Sequence, residues 1–345
     1  MTKRINLALQ GGGAHGAFTW GVLDRLLEED DLEIAAISGT SAGALNGAAL
    51  KAGLVEGDRE TAKENLDWLW TQMGALEDER MPDWMAAFLP APGLVSKMIE
   101  MSPAFTMADT ASRIFSPYIY GPFYQNPLQR IAERFHYDAV CNAKKGPAFF
   151  VCATNVRTGK IRVFSGKEIH TDVILASACL PTLFQAVEFT DPETGCVEAF
   201  WDGGYTGNPG LFPMFDKEFP RDIVVVNINP LERRELPTSP QDIQNRVNEI
   251  SFNSSLLREL RAIQFVRELI ADKRVEKGSM KDVLVHMIAD DALMNELSVA
   301  TKLVPTPHLL GELKEAGRAA AGQFLADHKK KLNKESTVDL EAMFG

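Results

Sequence analysis

Two apolar runs near the start of the chain constrain the fold most, because each leads through a glycine-rich turn into a helical pattern. The runs are INLAL, residues 5–9, and LEIAAIS, residues 32–38. Between them, Phe18, Val22 and Leu26 recur at helical spacing. Apolar strands that alternate with helices are typical of a parallel sheet with helices on its faces. The sequence therefore predicts an α/β fold.

The turn after the first run, QGGGAHG at residues 10–16, suits two kinds of site. Gly11, Gly13 and Gly16 have the G-x-G-x-x-G spacing of dinucleotide-binding loops. A dinucleotide binder also needs an acidic side chain for the ribose at the end of its second strand. ISGTSAG stands there instead. We therefore favour a loop whose backbone N–H groups stabilise an oxyanion over a nucleotide-binding oxidoreductase.

The turn after the second run, residues 39–43, fits the G-x-S-x-G pattern of a nucleophile elbow. In that motif a serine occupies a strained turn between a strand and a helix, which lifts its hydroxyl above the sheet. The flanking residues must be tiny so that the strand and the helix can approach, and Gly39, Ala42 and Gly43 meet this need. We predict that Ser41 is a nucleophile.

A serine nucleophile needs a base, and a carboxylate is better placed for this role than any histidine. FWDGGYTGNPG puts Asp202 directly after an apolar run and before two glycines that allow a sharp turn. A partly buried aspartate can accept the serine proton directly. None of the histidines follows a late strand as the histidine of an α/β-hydrolase would. They are His15, His136, His170, His286, His308 and His328.

Together these residues resemble the patatin-like phospholipase family, whose members share a G-G-G-x-[R/K]-G loop, a G-x-S-x-G elbow and a D-G-[GA] motif in that order. The same order occurs here at residues 11–16, 39–43 and 202–204. CATNVRTGKIRVFS, ASACLPTLFQAV and GGYTGNP look like further segments of the family. The resemblance implies a three-layer α/β/α sandwich with a mainly parallel central sheet, similar to acyl-carrier-protein transacylases.

The resemblance also implies a Ser–Asp dyad that hydrolyses fatty-acyl esters of lipids or phospholipids, without a cofactor or a metal. Ser41 would be the nucleophile that carries the acyl group, and Asp202 the general base. Oxyanion-hole N–H groups are implied for Gly11, Gly12, Gly13 and Ala14. Supporting roles in the motifs are implied for Gly16, Gly39, Gly43, Gly203 and Gly204.

One position departs from the family pattern, because His15 stands where the loop usually has arginine or lysine. We expect His15 to be a substrate contact. If it meets a phosphate-bearing head group, its charge depends on pH, since free imidazole titrates near neutrality. The departure bears on the preference for phospholipids and leaves the dyad unaffected.

The chain divides into two parts in this interpretation. Residues 5–230 form the catalytic domain, and residues 231–345 are a mostly helical C-terminal extension that packs on the same domain. Residues 81–105 are rich in Met, Trp, Phe and Pro and poor in charge. This composition suits either a connector packed into the core or a mobile cap over an apolar site.

Composition disfavours several other classes of protein. The 36 Lys and Arg against 47 Asp and Glu give a formal net charge of −11, which argues against nucleic-acid binding. The N-terminus lacks the apolar segment of a signal peptide, no apolar run is long enough to span a membrane, and the cysteines lack metal-ligand spacing. We expect a cytoplasmic protein that touches membranes at their surface, although signal-independent secretion stays compatible with the sequence.

Other functions could use the same features. The dyad also supports acyl transfer to an acceptor other than water, or hydrolysis of esters that are not lipids. A lipid-binding protein with little catalysis would keep the fold, but the intact Ser41 and Asp202 argue against it.

Overall fold

The computed structural model of the protein contains a mixed sheet with helices on both faces. It describes residues 2–75, 92–103, 105, 107, 115–143, 145–276 and 278–344. The strands are β1 (Lys3–Leu9), β2 (Leu32–Gly39), β3 (Ala148–Asn155), β4 (Ile161–Ser165), β5 (Val187–Thr190), β6 (Val197–Asp202), β7 (Asp222–Val226) and β8 (Leu284–Ile288).

The helices fill the connections and the C-terminal third. They are α1 (Gly16–Leu26), α2 (Ala42–Glu56), α3 (Arg59–Ala75), α4 (Pro92–Glu100), α5 (Gln129–Ala132), α6 (Tyr137–Asn142), α7 (Thr171–Ser177), α8 (Pro240–Ala271), α9 (Asp291–Glu296), α10 (Val299–Leu303), α11 (Pro307–His328) and α12 (Leu340–Phe344). In the described part of the chain, no helix carries an apolar stretch of the length that a membrane crossing needs.

The parallel half of the sheet runs in the order β3-β2-β1-β7-β8. Most residues of its strands are buried because both faces of the sheet are covered. In β7, Val224 and Val226 belong to the core cluster shared with α1, α2 and α11, whereas Ile223 and Val225 belong to a second cluster shared with α8. This alternation gives a three-layer α/β/α arrangement, and the predicted fold class is confirmed.

The other half of the sheet is antiparallel and centres on β3. Strand β4 pairs with residues 150–154 of β3 along one edge. Strand β2 pairs with residues 148–151, and β6 pairs with residues 153–155. Both spans overlap that of β4, so β2 and β6 must share the opposite edge of β3. Their C-terminal ends therefore point toward each other, because β2 is parallel to β3 and β6 is antiparallel to it.

Helix α11, from the C-terminal third, packs closely on α1. A Cβ atom on Gly317 would lie 2.0 Å from the Phe18 carbonyl oxygen, and one on Gly21 would lie 1.9 Å from the Lys314 carbonyl oxygen. The two glycines thus let the helix backbones touch, and Arg318 adds an ion pair to Asp24. Since α1 begins at the glycine-rich loop, the C-terminal third supports the helix that carries this loop.

Several sequence expectations can be compared with these elements. The two apolar runs at residues 5–9 and 32–38 correspond to β1 and β2, and the apolar run before Asp202 corresponds to β6. The short, half-exposed strand β5 was not predicted. Of the candidate cap at residues 81–105, residues 81–91 and 104 lie outside the described residues, and the remainder includes α4.

Candidate active site

Ser41 lies in the tight turn between β2 and α2. Its backbone has φ 54° and ψ −122°, a left-handed conformation that costs energy in any residue with a Cβ. The turn is held by close packing, because a Cβ atom on Gly43 would lie 2.1 Å from the Leu9 carbonyl oxygen. The Gly43 N–H donates to the Thr40 carbonyl at 2.8 Å. Ser41 is 7% exposed, so little of it is open to solvent in this structure.

Asp202 ends β6 and reaches the same point from the opposite direction. On the shared edge of β3, Gly39 of β2 lies opposite Val151 and Asp202 lies opposite Ala153. The turn that carries Ser41 therefore begins where β2 ends, and Asp202 is the last residue of β6. The two residues thus come from the two strand ends that face each other. Gly203 permits this meeting, because a Cβ there would lie 2.2 Å from the Cys152 carbonyl oxygen. The structure thus brings together the two residues predicted as a dyad.

The carboxyl group of Asp202 is fully buried and only half satisfied. Its Oδ1 accepts a hydrogen bond from the Gly204 N–H at 2.7 Å. Its Oδ2 accepts none from any described residue. Burial raises the pKa of Asp202 to about 7, although the Gly204 N–H and the Ser41 side chain both favour the ionised form. The group can therefore exchange a proton near neutral pH.

Ser177, which the sequence analysis did not single out, stabilises the turn from α7. Its hydroxyl donates to the Cys152 carbonyl at 2.7 Å and accepts from the Ser41 N–H at 2.9 Å. Cys152 lies between the two positions of β3 that pair with β2 and β6. The Ser177 hydroxyl thus supplies a hydrogen-bond donor to the β3 carbonyl at the gap between the ends of β2 and β6. No local motif marks this role, since it depends on three distant segments.

The glycine-rich loop has unpaired backbone donors close to this gap. Within the described residues, nothing accepts a hydrogen bond from the N–H groups of Gly12, Gly13 or Ala14. Gly11 differs, because its N–H donates to Asn208 Oδ1 at 2.7 Å. The Gly11 N–H is therefore occupied in this structure, and its role as an oxyanion donor stays a prediction. Three predicted donors are left for an incoming oxyanion.

His15 is buried rather than open to a ligand in this structure. Its ring is 2% exposed, and its Nε2 lies 2.8 Å from Thr301 Oγ1 in α10. Burial, with the nearby charges of Lys302 and Arg233, holds the pKa of His15 well below its usual value of 6.5. The ring is thus neutral at physiological pH, so its charge does not vary there as expected. Its role as a substrate contact stays a prediction.

The histidines of the described ranges lie apart from Ser41 and Asp202 in their hydrogen bonding. None of the histidines there hydrogen-bonds to Ser41 or Asp202, and His286 is buried against Asp222 at 2.9 Å between β7 and β8. The described residues also contain no group of three or more His, Cys, Asp or Glu that could hold a metal ion.

Comparison with protein-family models matches residues 7–215 to the patatin-like phospholipases. The chain belongs to this family. The matched segment, more than half of the patatin-like chain, includes the glycine-rich loop, the elbow and Asp202. No curated protein gives a significant match.

Comparison with solved structures gives neighbours of low sequence identity. VipD from Legionella pneumophila is 15% identical, with a TM-score of 0.43, and the match covers 99% of this chain and 72% of VipD. The type III effector ExoU is 17% identical, with a TM-score of 0.35, over 96% of this chain and 54% of ExoU. These scores are low, so the family assignment depends on the match to the family model.

Proposed function

We propose that the protein is a serine acyl hydrolase that cleaves fatty-acyl esters of lipids, including phospholipids. The observation that carries the proposal is the meeting of Ser41, in a strained elbow, with the buried Asp202 carboxyl, whose pKa is about 7. A carboxylate that is partly unsatisfied and weakly acidic is a competent base for a neighbouring hydroxyl. Membership of the patatin-like phospholipases supports the lipid substrate.

In the proposed mechanism, Asp202 takes the hydroxyl proton of Ser41 as Oγ attacks the ester carbonyl carbon. The carbonyl oxygen becomes an oxyanion, and the free N–H groups of Gly12, Gly13 and Ala14 are the proposed donors to it. Asp202 then returns the proton to the departing alcohol, which leaves an acyl ester on Ser41. Asp202 then removes a proton from a water molecule, which attacks the acyl carbon. The bond to Ser41 Oγ breaks, the fatty acid is released, and Asp202 returns the proton to Oγ.

Replacing Ser41 with Ala is expected to abolish hydrolysis, because the acyl-enzyme cannot form. We would assay wild type and Ser41→Ala on short-chain and long-chain acyl esters and on phospholipids, and would treat both with a fluorophosphonate probe. The proposal is supported if wild type hydrolyses the esters and is labelled by the probe, while Ser41→Ala does neither. Equal turnover by the two proteins contradicts it. Labelling without hydrolysis on any ester would favour acyl transfer to another acceptor.

An exposed apolar surface supports substrate uptake from a lipid layer. Six apolar side chains on or next to two helices are exposed: Leu94 and Met98 of α4, Met101 directly after it, and Ile243, Val247 and Ile250 of α8. Asn245 of α8 donates to Glu100 of α4 at 3.3 Å and so joins the two helices. Further along α8, Phe252 contacts Gly204 beside the catalytic candidate Asp202. Helix α8 therefore carries exposed apolar side chains as well as a residue that lies beside the proposed dyad.

Val247→Asp is expected to lower hydrolysis of phospholipid vesicles by about tenfold relative to hydrolysis of a soluble short-chain ester, because a charge opposes burial in lipid. Phe265→Asp is the matched control, since Phe265 is an exposed apolar residue on the same helix but outside the apolar surface. The measurement is the ratio of the vesicle rate to the soluble-ester rate. An equal ratio for both variants would rule out membrane contact through this surface.

A further inference from the structure

We propose that Asn208 is a positioning residue that fixes the glycine-rich loop against Ser41. The inference rests on the proposed function, because it concerns the geometry of the oxyanion donors. Asn208 lies in the segment that follows Asp202, is fully buried, and contacts the loop through both polar atoms of its amide. It makes no hydrogen bond to Ser41 or Asp202 and so acts through the loop.

The contact is a two-point pairing of an amide side chain with the backbone N–H and C=O of a single residue, Gly11. Asn208 Oδ1 accepts from the Gly11 N–H at 2.7 Å, and Asn208 Nδ2 donates to the Gly11 carbonyl at 3.3 Å. A donor and an acceptor side by side are needed for this pairing, and only the short amide side chain offers both at this reach. The pairing fixes the orientation of the Gly11 backbone as well as its position.

Gly11 is the point at which the loop touches the nucleophile turn. A Cβ atom on Gly11 would lie 2.7 Å from Ser41 Cβ and 2.8 Å from the Thr40 carbonyl oxygen. The residues immediately after Gly11 carry the unpaired N–H groups. A rotation of Gly11 would therefore move these donors relative to Ser41 Oγ, and a displacement of about 1 Å can cost about 100-fold in rate.

Asn208 itself is held rigidly. Its N–H donates to Ser255 Oγ of α8 at 3.1 Å, and the preceding Gly207 carbonyl accepts from Thr40 Oγ1 at 2.7 Å. The Gly11 carbonyl also accepts from Asn229 Nδ2 at 2.9 Å. Asn229 thus provides a second contact to the carbonyl, whereas among the described residues only Asn208 engages the Gly11 N–H. Asn208 therefore links the aspartate segment, the elbow and the glycine-rich loop.

The test compares Asn208→Ala with Asn6→Ala. Asn6 is also a fully buried amide that donates to backbone carbonyls, those of Pro220 and Asp222 at 2.8 and 3.0 Å, but it lies in the middle of β1. We expect Asn208→Ala to lower kcat on a soluble ester by about 100-fold with little change in KM. Asn6→Ala should lose comparable stability and keep its kcat.

Amide hydrogen exchange of the peptide spanning residues 10–17 supplies a readout that does not depend on activity. It should be faster in Asn208→Ala than in wild type and unchanged in Asn6→Ala. Asn208→Asp keeps the size and the acceptor but loses the donor, so it serves if the Ala variant does not fold, and it should show the same two changes. Unchanged exchange, or a kcat loss equal to that of Asn6→Ala, would overturn the inference. If Ser41→Ala keeps wild-type turnover, the proposed function fails, while the exchange result still decides the role of Asn208.

Discussion

Asp202→Asn is expected to lower kcat for ester hydrolysis by about 1,000-fold, because the amide cannot take the serine proton. In wild type the rate should rise with pH through about 7 and fall as the solution is made more acidic, since burial raises the pKa of Asp202 to about 7 and only the ionised form is a base. The measurement is kcat/KM against pH for both proteins. A variant that keeps the wild-type rate and profile would exclude Asp202 as the base.

The same substitution is expected to stabilise the folded protein. The pKa of Asp202 is higher in the fold than the usual 3.8, so folding favours the protonated form and wild type loses stability as the pH rises from about 4 to about 7. The amide carries no charge and keeps the acceptor for the Gly204 N–H. We therefore expect Asp202→Asn to be about 1–3 kcal/mol more stable at pH 8, with the difference shrinking toward pH 4. Urea unfolding at both pH values measures it.

Gly43→Ala is expected to destabilise the protein by about 3 kcal/mol or more. The new methyl carbon would lie 2.1 Å from the Leu9 carbonyl oxygen and 2.8 Å from that of Gln10, and these are backbone atoms of β1 and the residue after it that cannot move aside. Relief would require the elbow to separate from β1. Hydrolysis should fall together with stability, because Ser41 lies in the same turn.

Gly311→Ala is the matched control for this substitution. Gly311 lies in α11, and a Cβ atom there has no neighbour within 4 Å. Alanine in a helix is preferred over glycine by about 0.5–1 kcal/mol, so this variant should be slightly more stable than wild type. Urea denaturation of the two variants separates a steric effect at residue 43 from a general cost of replacing glycine. Similar stabilities for the two would contradict the packing argument.

The sequence was most informative where the chemistry is local. Residues 39–43 specify their turn through tiny neighbours, a preceding apolar strand and a following helix, so Ser41 could be recognised without knowledge of the rest of the chain. The D-G-G sequence at Asp202 is by itself equally typical of an ordinary turn. It indicates a catalytic base only in combination with the elbow and with the family resemblance. The parallel half of the sheet was likewise predictable, because buried parallel strands are continuous apolar runs.

Long-range contacts account for what the sequence did not predict. Ser177 and Asn208 are ordinary polar residues in their own segments, and their roles arise only when the fold brings them to Ser41 and Gly11. The burial of His15 depends on Thr301, from a distant helix. The meeting of β2 and β6 on one edge of β3 depends on pairing partners, which strand propensity does not specify.

The gap between β2 and β6 has a consequence for how such a chain can change during evolution. The distance between the elbow and Asp202 is set by a count of residues along β3, from Val151 to Ala153, and not by any side chain. Substitutions in these strands leave that count intact, whereas inserting or deleting one residue would shift a strand end by about 3.3 Å and reverse its side chains. Length changes are therefore expected in open turns such as those at Gly159 and Gly195, where a Cβ atom would have no neighbour within 4 Å, and not in the strands that end at the elbow and at Asp202.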